Sequence, residues 1–185
     1  MLNINEIKTG KNIILNGEPY AVIYYEHSKT GRAGAVLRAK VKNLITGAVL
    51  EKTFQGADRI EEAEIEKSQA QYLYKEGENY VFMNSENYDQ FFLSREVLGD
   101  SSKYLIEGTE VIILNFNNNP INIELPVKMK FKVVEAPPGI KGDTASGGGK
   151  IVKLETGIEI TAPLFIKEGD EIIVNTEKGE YVSRA

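Results

Sequence analysis

The residues of this 185-residue chain best suited to chemistry are cations. From Ser28 to Lys42 the sequence SKTGRAGAVLRAKVK carries five basic residues and no acid, in a protein whose formal net charge is −5. Lys29, Thr30, Gly31, Arg32, Ala33 and Gly34 read as a turn in which two long cations stand among small residues, with glycines free to take the positive φ of a hairpin. Arginine holds its charge and offers five donors in a planar fork, and lysine is a point charge on a flexible stem; both suit phosphate oxygens. Arg38, Lys40 and Lys42 are two apart, so a strand would align them on one face and turn Leu37, Ala39 and Val41 to the other. Solvated cations guarding an exposed strand give the same pattern, so spacing alone leaves both readings open.

The other candidates are weaker. The stretch GIKGDTASGGGK, Gly139 to Lys150, suggests a phosphate loop, but Thr144 stands where the motif needs glycine and Ile151 where it needs Ser or Thr. It reads as a polar loop, with contact to a sugar-phosphate chain through Asp143, Thr144 and backbone amides as the alternative. His27 is the only histidine and has no partner at an interpretable spacing. Glu61, Glu62, Glu64 and Glu66 read as a solvated linker. Tyr72, Tyr74, Tyr80 and Phe82 alternate as core aromatics do, with base stacking as the alternative. No nucleophile–base pair is apparent, so the reading is of a protein that is not an enzyme, with no metal and no cofactor.

The elements that must position these residues are strands. Short runs rich in Val, Ile, Tyr and Phe, at 12–16, 20–25, 35–44, 80–83, 111–116, 128–135 and 171–175, are punctuated by NG, TG, EG and KG pairs, which predicts an all-β protein of small barrels. The spacing G-x-x-I-I-L/V-N occurs at Gly10 and Gly169, and at Gly108 with one residue added, which predicts three related units. The boundaries expected are 1–64, 65–127 and 128–185, units of about 60 residues that are marginal alone and lean on neighbours or a partner. Their formal charges are +1, −6 and 0, so the middle unit supplies the acidity. The one helical piece expected is Ser94 to Leu98. There is no cysteine, which excludes disulfides and thiolate-bound metal. The N-terminus lacks the pattern of a signal peptide and no run approaches the roughly 18 apolar residues of a membrane span, so a cytoplasmic protein is expected.

The basic hairpin followed by VKNLITG, then YVFMNSENYDQ, ELPVKMKFKVVEAPPGIKGDTAS and a terminal GEYVSR, resembles bacterial elongation factor P along essentially the whole chain. The resemblance implies an N-terminal SH3-like (KOW-like) barrel and two OB-fold barrels in an elongated L shape, a monomer that binds the 70S ribosome between the P and E sites. It implies contact with the P-site peptidyl-tRNA, ribosomal RNA and the E-site mRNA codon, no membrane, and relief of stalling at consecutive prolines. The family's modified tip position falls on Arg32. Many members carry lysine there and extend it with a β-lysyl group; a subset with arginine receives a rhamnose from a glycosyltransferase, and this chain is similar to that subset. The family's codon-reading loop falls on Gly142, Asp143 and Thr144, a triplet that elongation factor P-like paralogues lose. A free-standing single-strand nucleic-acid binder of OB type is the reading from a different class.

Overall fold

A computed structural model describes residues 1–30, 34–138 and 149–185, with backbone alone at 29, 30 and 34. The expected all-β architecture of three small units is what forms, as three five-stranded antiparallel sheets. The first comprises β1 (Asn12–Leu15), β2 (Glu18–Thr30), β3 (Gly34–Asn43), β4 (Val49–Gln55) and β5 (Glu61–Glu62), in the order β4-β3-β2-β1-β5. The second comprises β6 (Ile65–Glu76), β7 (Asn79–Asn84), β8 (Gln90–Ser94), β9 (Glu110–Phe116) and β10 (Asn119–Glu124), in the order β10-β9-β6-β7-β8. The third comprises β11 (Lys128–Glu135), β12 (Gly149–Leu154), β13 (Glu159–Pro163), β14 (Glu171–Asn175) and β15 (Glu180–Arg184), in the order β13-β12-β11-β14-β15. Sheets two and three therefore share one topology, and the first has another. Curling brings β10 against β8 and β13 against β15, so each of the last two sheets wraps its own core.

The helical piece lies where expected. Ser94 Oγ accepts from the Val97 amide at 3.3 Å and caps α1 (Arg95–Leu98), which runs into a 3-10 helix over Gly99–Tyr104. A serine at this position satisfies an amide that has no partner inside the first turn.

The three-fold repeat has a backbone cause. Gly10, Gly108 and Gly169 all have φ near +90°, the left-handed region that favours glycine. The Gly10 amide donates to the Val22 carbonyl while the Val22 amide donates to the Lys11 carbonyl. Gly108 and Thr109 bracket Tyr72 in the same way, and Gly169 and Asp170 bracket Val133. Two residues thus face one in each sheet, a glycine bulge that bends the strand. In the second and third sheets the motif opens the fourth strand, beside the first. In the first sheet it opens the first strand instead, so the Gly10 copy shares the bend but not the place in the topology.

Three expectations need correction. The basic arm is longer than the hairpin read from sequence: β2 continues through His27 to Thr30, and Thr30 pairs with Gly34. Glu61 and Glu62 are not linker; they form β5 opposite Ile14 and Ile13, and Glu62 meets Lys11 at 2.6 Å. Tyr72, Tyr80 and Phe82 are buried as core aromatics, but Tyr74 is exposed, because a register shift between Tyr72 and Tyr74 turns it to the outer face.

The second and third units share side chains. Tyr104, at the end of the 3-10 helix, is buried in the third core with its ring 6.0 Å from that of Phe131, and Leu125 packs against both cores. The connection between them is tied down by Thr176 Oγ1 donating to the Pro126 carbonyl at 2.8 Å. Tyr104→Ala empties a ring-sized volume in a core that spans two units, and should cost roughly 3 kcal/mol of unfolding free energy. Urea denaturation with hydrogen exchange will check this: protection should fall at Phe131 and Ile172 and hold in the first sheet.

Candidate nucleic-acid interface

The arm of β2 and β3 presents one apolar and one charged face, as strand alternation requires. Leu37, Ala39 and Val41 are fully or almost fully buried, while Arg38, Lys40 and Lys42 are exposed, as expected. Opposite Ala39 and Leu37, partly buried Tyr25 meets exposed His27 edge-on, ring centroids 5.7 Å apart, so the lone histidine packs beside a tyrosine at the rim of the apolar face.

The charged face is not purely basic. Glu26 stands opposite Arg38 on β2, and Glu51 stands opposite Lys40 on β4, where Lys40 Nζ and Glu51 Oε1 are 3.4 Å apart. Tyr24, Glu26, Arg38, Lys40, Glu51 and Thr53 line a shallow depression of about 450 Å³. Cations alternating with carboxylates across neighbouring strands moderate the field of the face, and Lys40 is engaged by Glu51. Tyr24, half exposed, adds a ring at the same surface.

Gly31, Arg32 and Ala33 lie outside the described residues, and Lys29, Thr30 and Gly34 are described only as backbone. Gly142, Asp143 and Thr144 lie outside them as well. What the structure does place is where that second segment rejoins the fold. A side chain at Gly149 would stand 2.7 Å from Thr161 Cγ2 and 3.2 Å from the Ala162 carbonyl oxygen, so the first residue of β12 must be glycine. Lys150 reaches back to donate to the Pro137 carbonyl at 2.8 Å, a bond that ties together the two ends of the segment.

A further cationic row was not singled out from sequence. Lys128, Lys130 and Lys132 are exposed on one face of β11, and the K-x-K-x-K spacing repeats that of Arg38, Lys40 and Lys42. Lys130 pairs with Glu171 at 3.1 Å, again across strands.

Among the described residues three side chains are shifted from their ordinary values, and all lie on the second and third units. Burial pushes the Tyr72 hydroxyl up, helped by Tyr80 and Glu107. A hydrogen bond from Lys103 holds Asp100 low, and one to Glu135 holds Lys153 high. Each shift comes from burial or a surface ion pair. Among the described residues no cluster of His, Cys, Asp or Glu is arranged to hold a metal ion, and no helix is long and apolar enough to cross a membrane.

Comparison with known proteins gives this architecture a family. Residues 3–60 match the elongation factor P KOW-like domain, 65–123 the elongation factor P OB domain, and 129–184 the elongation factor P C-terminal domain. Elongation factor P of Dictyoglomus turgidum is 46% identical over 185 residues, covering 100% of both chains. The chain belongs to the elongation factor P family. Elongation factor P of Moorella thermoacetica is 44% identical over 185 residues, again covering 100% of each chain. Among solved structures, eukaryotic translation initiation factor 5A from Methanococcus jannaschii aligns with a TM-score of 0.51 and 20% identity, over 67% of this chain and 93% of that one. An initiation factor 5A family protein from Naegleria fowleri gives 0.51 and 16%, over 66% and 94%. These two carry the fold alone. Within the elongation factor P architecture, the third sheet repeats the strand order of the OB domain before it.

Glu51→Gln will test the charge balance of the arm. An exposed pair of this kind contributes little, so stability should stay within about 0.5 kcal/mol. Binding of single-stranded RNA, followed by fluorescence anisotropy across a salt series, should tighten at low salt and steepen by about 0.7 in logarithmic slope as Lys40 becomes free to meet one more phosphate.

Proposed function

We propose that this chain, a translation elongation factor by family, binds the ribosome between the P and E sites and, without being an enzyme, speeds peptide bond formation at consecutive prolines by steadying the end of the P-site tRNA. The observation that carries the reading is the arm. A two-stranded ribbon, packed on the first core along its apolar face, carries Arg38, Lys40 and Lys42 as an exposed row of cations.

Proline is a poor partner in peptide bond formation, and consecutive prolines leave the peptidyl-tRNA end badly placed. A cationic tip at the terminal CCA backbone restrains that end and lowers the entropic part of the barrier, while the ribosome performs the chemistry. About 1.4 kcal/mol is a factor of ten in rate, within reach of a few oriented charge-assisted hydrogen bonds. Arg32 is the residue assigned to the tip, with Lys29, Arg38, Lys40 and Lys42 supporting contact to RNA. Its guanidinium is also the acceptor assigned for a rhamnose. Gly142, Asp143 and Thr144 are assigned to the E-site codon, and the protein works in the cytoplasm. The carboxylates Glu26 and Glu51 favour this reading over a free-standing RNA binder, because they weaken adhesion to naked RNA that lacks the geometry of the docked site.

Arg32→Ala should fold normally and lose relief of polyproline stalling in a reconstituted translation assay; undiminished relief would remove Arg32 from the tip. Intact mass of the natively expressed protein reads the modification, as one added deoxyhexose. Asp143→Ala with Thr144→Ala should lower stimulation at unchanged melting temperature, and unchanged stimulation would return that loop to a plain connection.

A further inference from the structure

The two joints between units are built differently. The second and third units share apolar side chains through Tyr104 and Leu125. The first and second are linked in sequence by only Ala63 and Glu64, between the end of β5 and the start of β6. Across that joint one side-chain amide spans both sides: Asn122 Nδ2 donates to the Leu44 carbonyl of the first unit at 3.1 Å and to the Val97 carbonyl in α1 at 3.3 Å. Its Oδ1 accepts the Ile123 amide at 2.8 Å, which fixes which way the amide points. Both Nδ2 hydrogens are therefore used on two different units.

Each end of this bridge is itself held. Asn122 pairs with Leu114 just after a register shift at Pro120 on β10, the edge strand of its sheet, and alternation sets it on the face opposite buried Ile123. On the other side, buried Asn43 accepts the amides of Ile45 and Thr46 at 2.8 and 2.9 Å and donates to Glu18 at 2.7 Å. That network shapes the turn that offers the Leu44 carbonyl. A polar chain thus runs from β2, the base of the cationic arm, through Asn43 and Asn122 to α1.

We propose that Asn122 is a positioning residue, a polar latch that fixes the first unit against the second and so sets where the cationic arm stands. Its functional consequence rests on the reading given under Proposed function; its structural content does not. A factor that must contact RNA at both ends gains from entering the ribosome with its units already oriented, because a loosened joint divides affinity by the fraction of molecules in the competent arrangement.

The absence of cysteine lets two introduced thiols be labelled uniquely. In Gln55→Cys/Gln90→Cys, both positions exposed and on strands of different units, spin-label distances should form one narrow distribution. Adding Asn122→Asp, which sets an oxygen against two carbonyls, or Asn122→Ala should broaden or shift it. An unchanged distribution overturns the latch. In the wild-type protein the Asn122 side-chain amide protons should exchange more slowly than those of an exposed asparagine, a reading independent of any variant's folding, and unprotected protons overturn it equally. In the stalling assay the latch variants should raise the half-saturating factor concentration about three- to tenfold while retaining the saturated rate. An unchanged half-saturation beside altered distances overturns the positioning role. Failure of the wild-type protein to relieve stalling would instead count against the ribosomal function and leave the distance result standing.

Discussion

Burial of the apolar face of β3 is the interaction on which the rest depends. Leu37, Ala39 and Val41 are sealed in the first core, and each large aliphatic side chain so placed contributes on the order of 2 kcal/mol. The exposed Lys40–Glu51 pair contributes well under 1 kcal/mol. The charges therefore do not hold the arm in place; the hydrocarbon beneath them does, and strand alternation then leaves the cations no direction but outward. A surface organised this way can be retuned in charge without loosening the ribbon that carries it.

The same division between structural and exposed groups recurs down the chain. Apolar sharing at the second joint, through Tyr104 and Leu125, makes the last two barrels neighbours in one packed region. At the first joint the Asn122 amide bonds to both units, and such bonds are directional where packing is not. The joint nearest the arm is thus the one that carries a directional side-chain bridge.

Most of the fold was legible from residue type. Alternation in 35–44 set Arg38, Lys40 and Lys42 on one face, and the stretch Ser94 to Leu98 was read as helical where α1 forms. What escaped had physical reasons. β6 carries IEKSQAQYLYKE, too polar to stand out as a strand, because much of it faces water and a register shift breaks its alternation at Tyr74. Glu61 and Glu62 looked like linker because edge strands tolerate charge. Of the candidate site, the cations were readable and their counter-charges were not: Glu51 meets Lys40 only after β4 folds back, a pairing that periodicity within one strand does not contain. The bridge made by Asn122 was invisible for the same reason, since its two acceptors are backbone carbonyls distant in sequence.

The glycine bulge common to all three sheets has a consequence for how such a molecule can change over time. Because the kink is written into main-chain torsions at Gly10, Gly108 and Gly169, the curvature of each wall owes little to the side chains that decorate it. Lineages can repaint the outside of one barrel, even to the point where neighbours differ by several charges, and the three containers keep their shape.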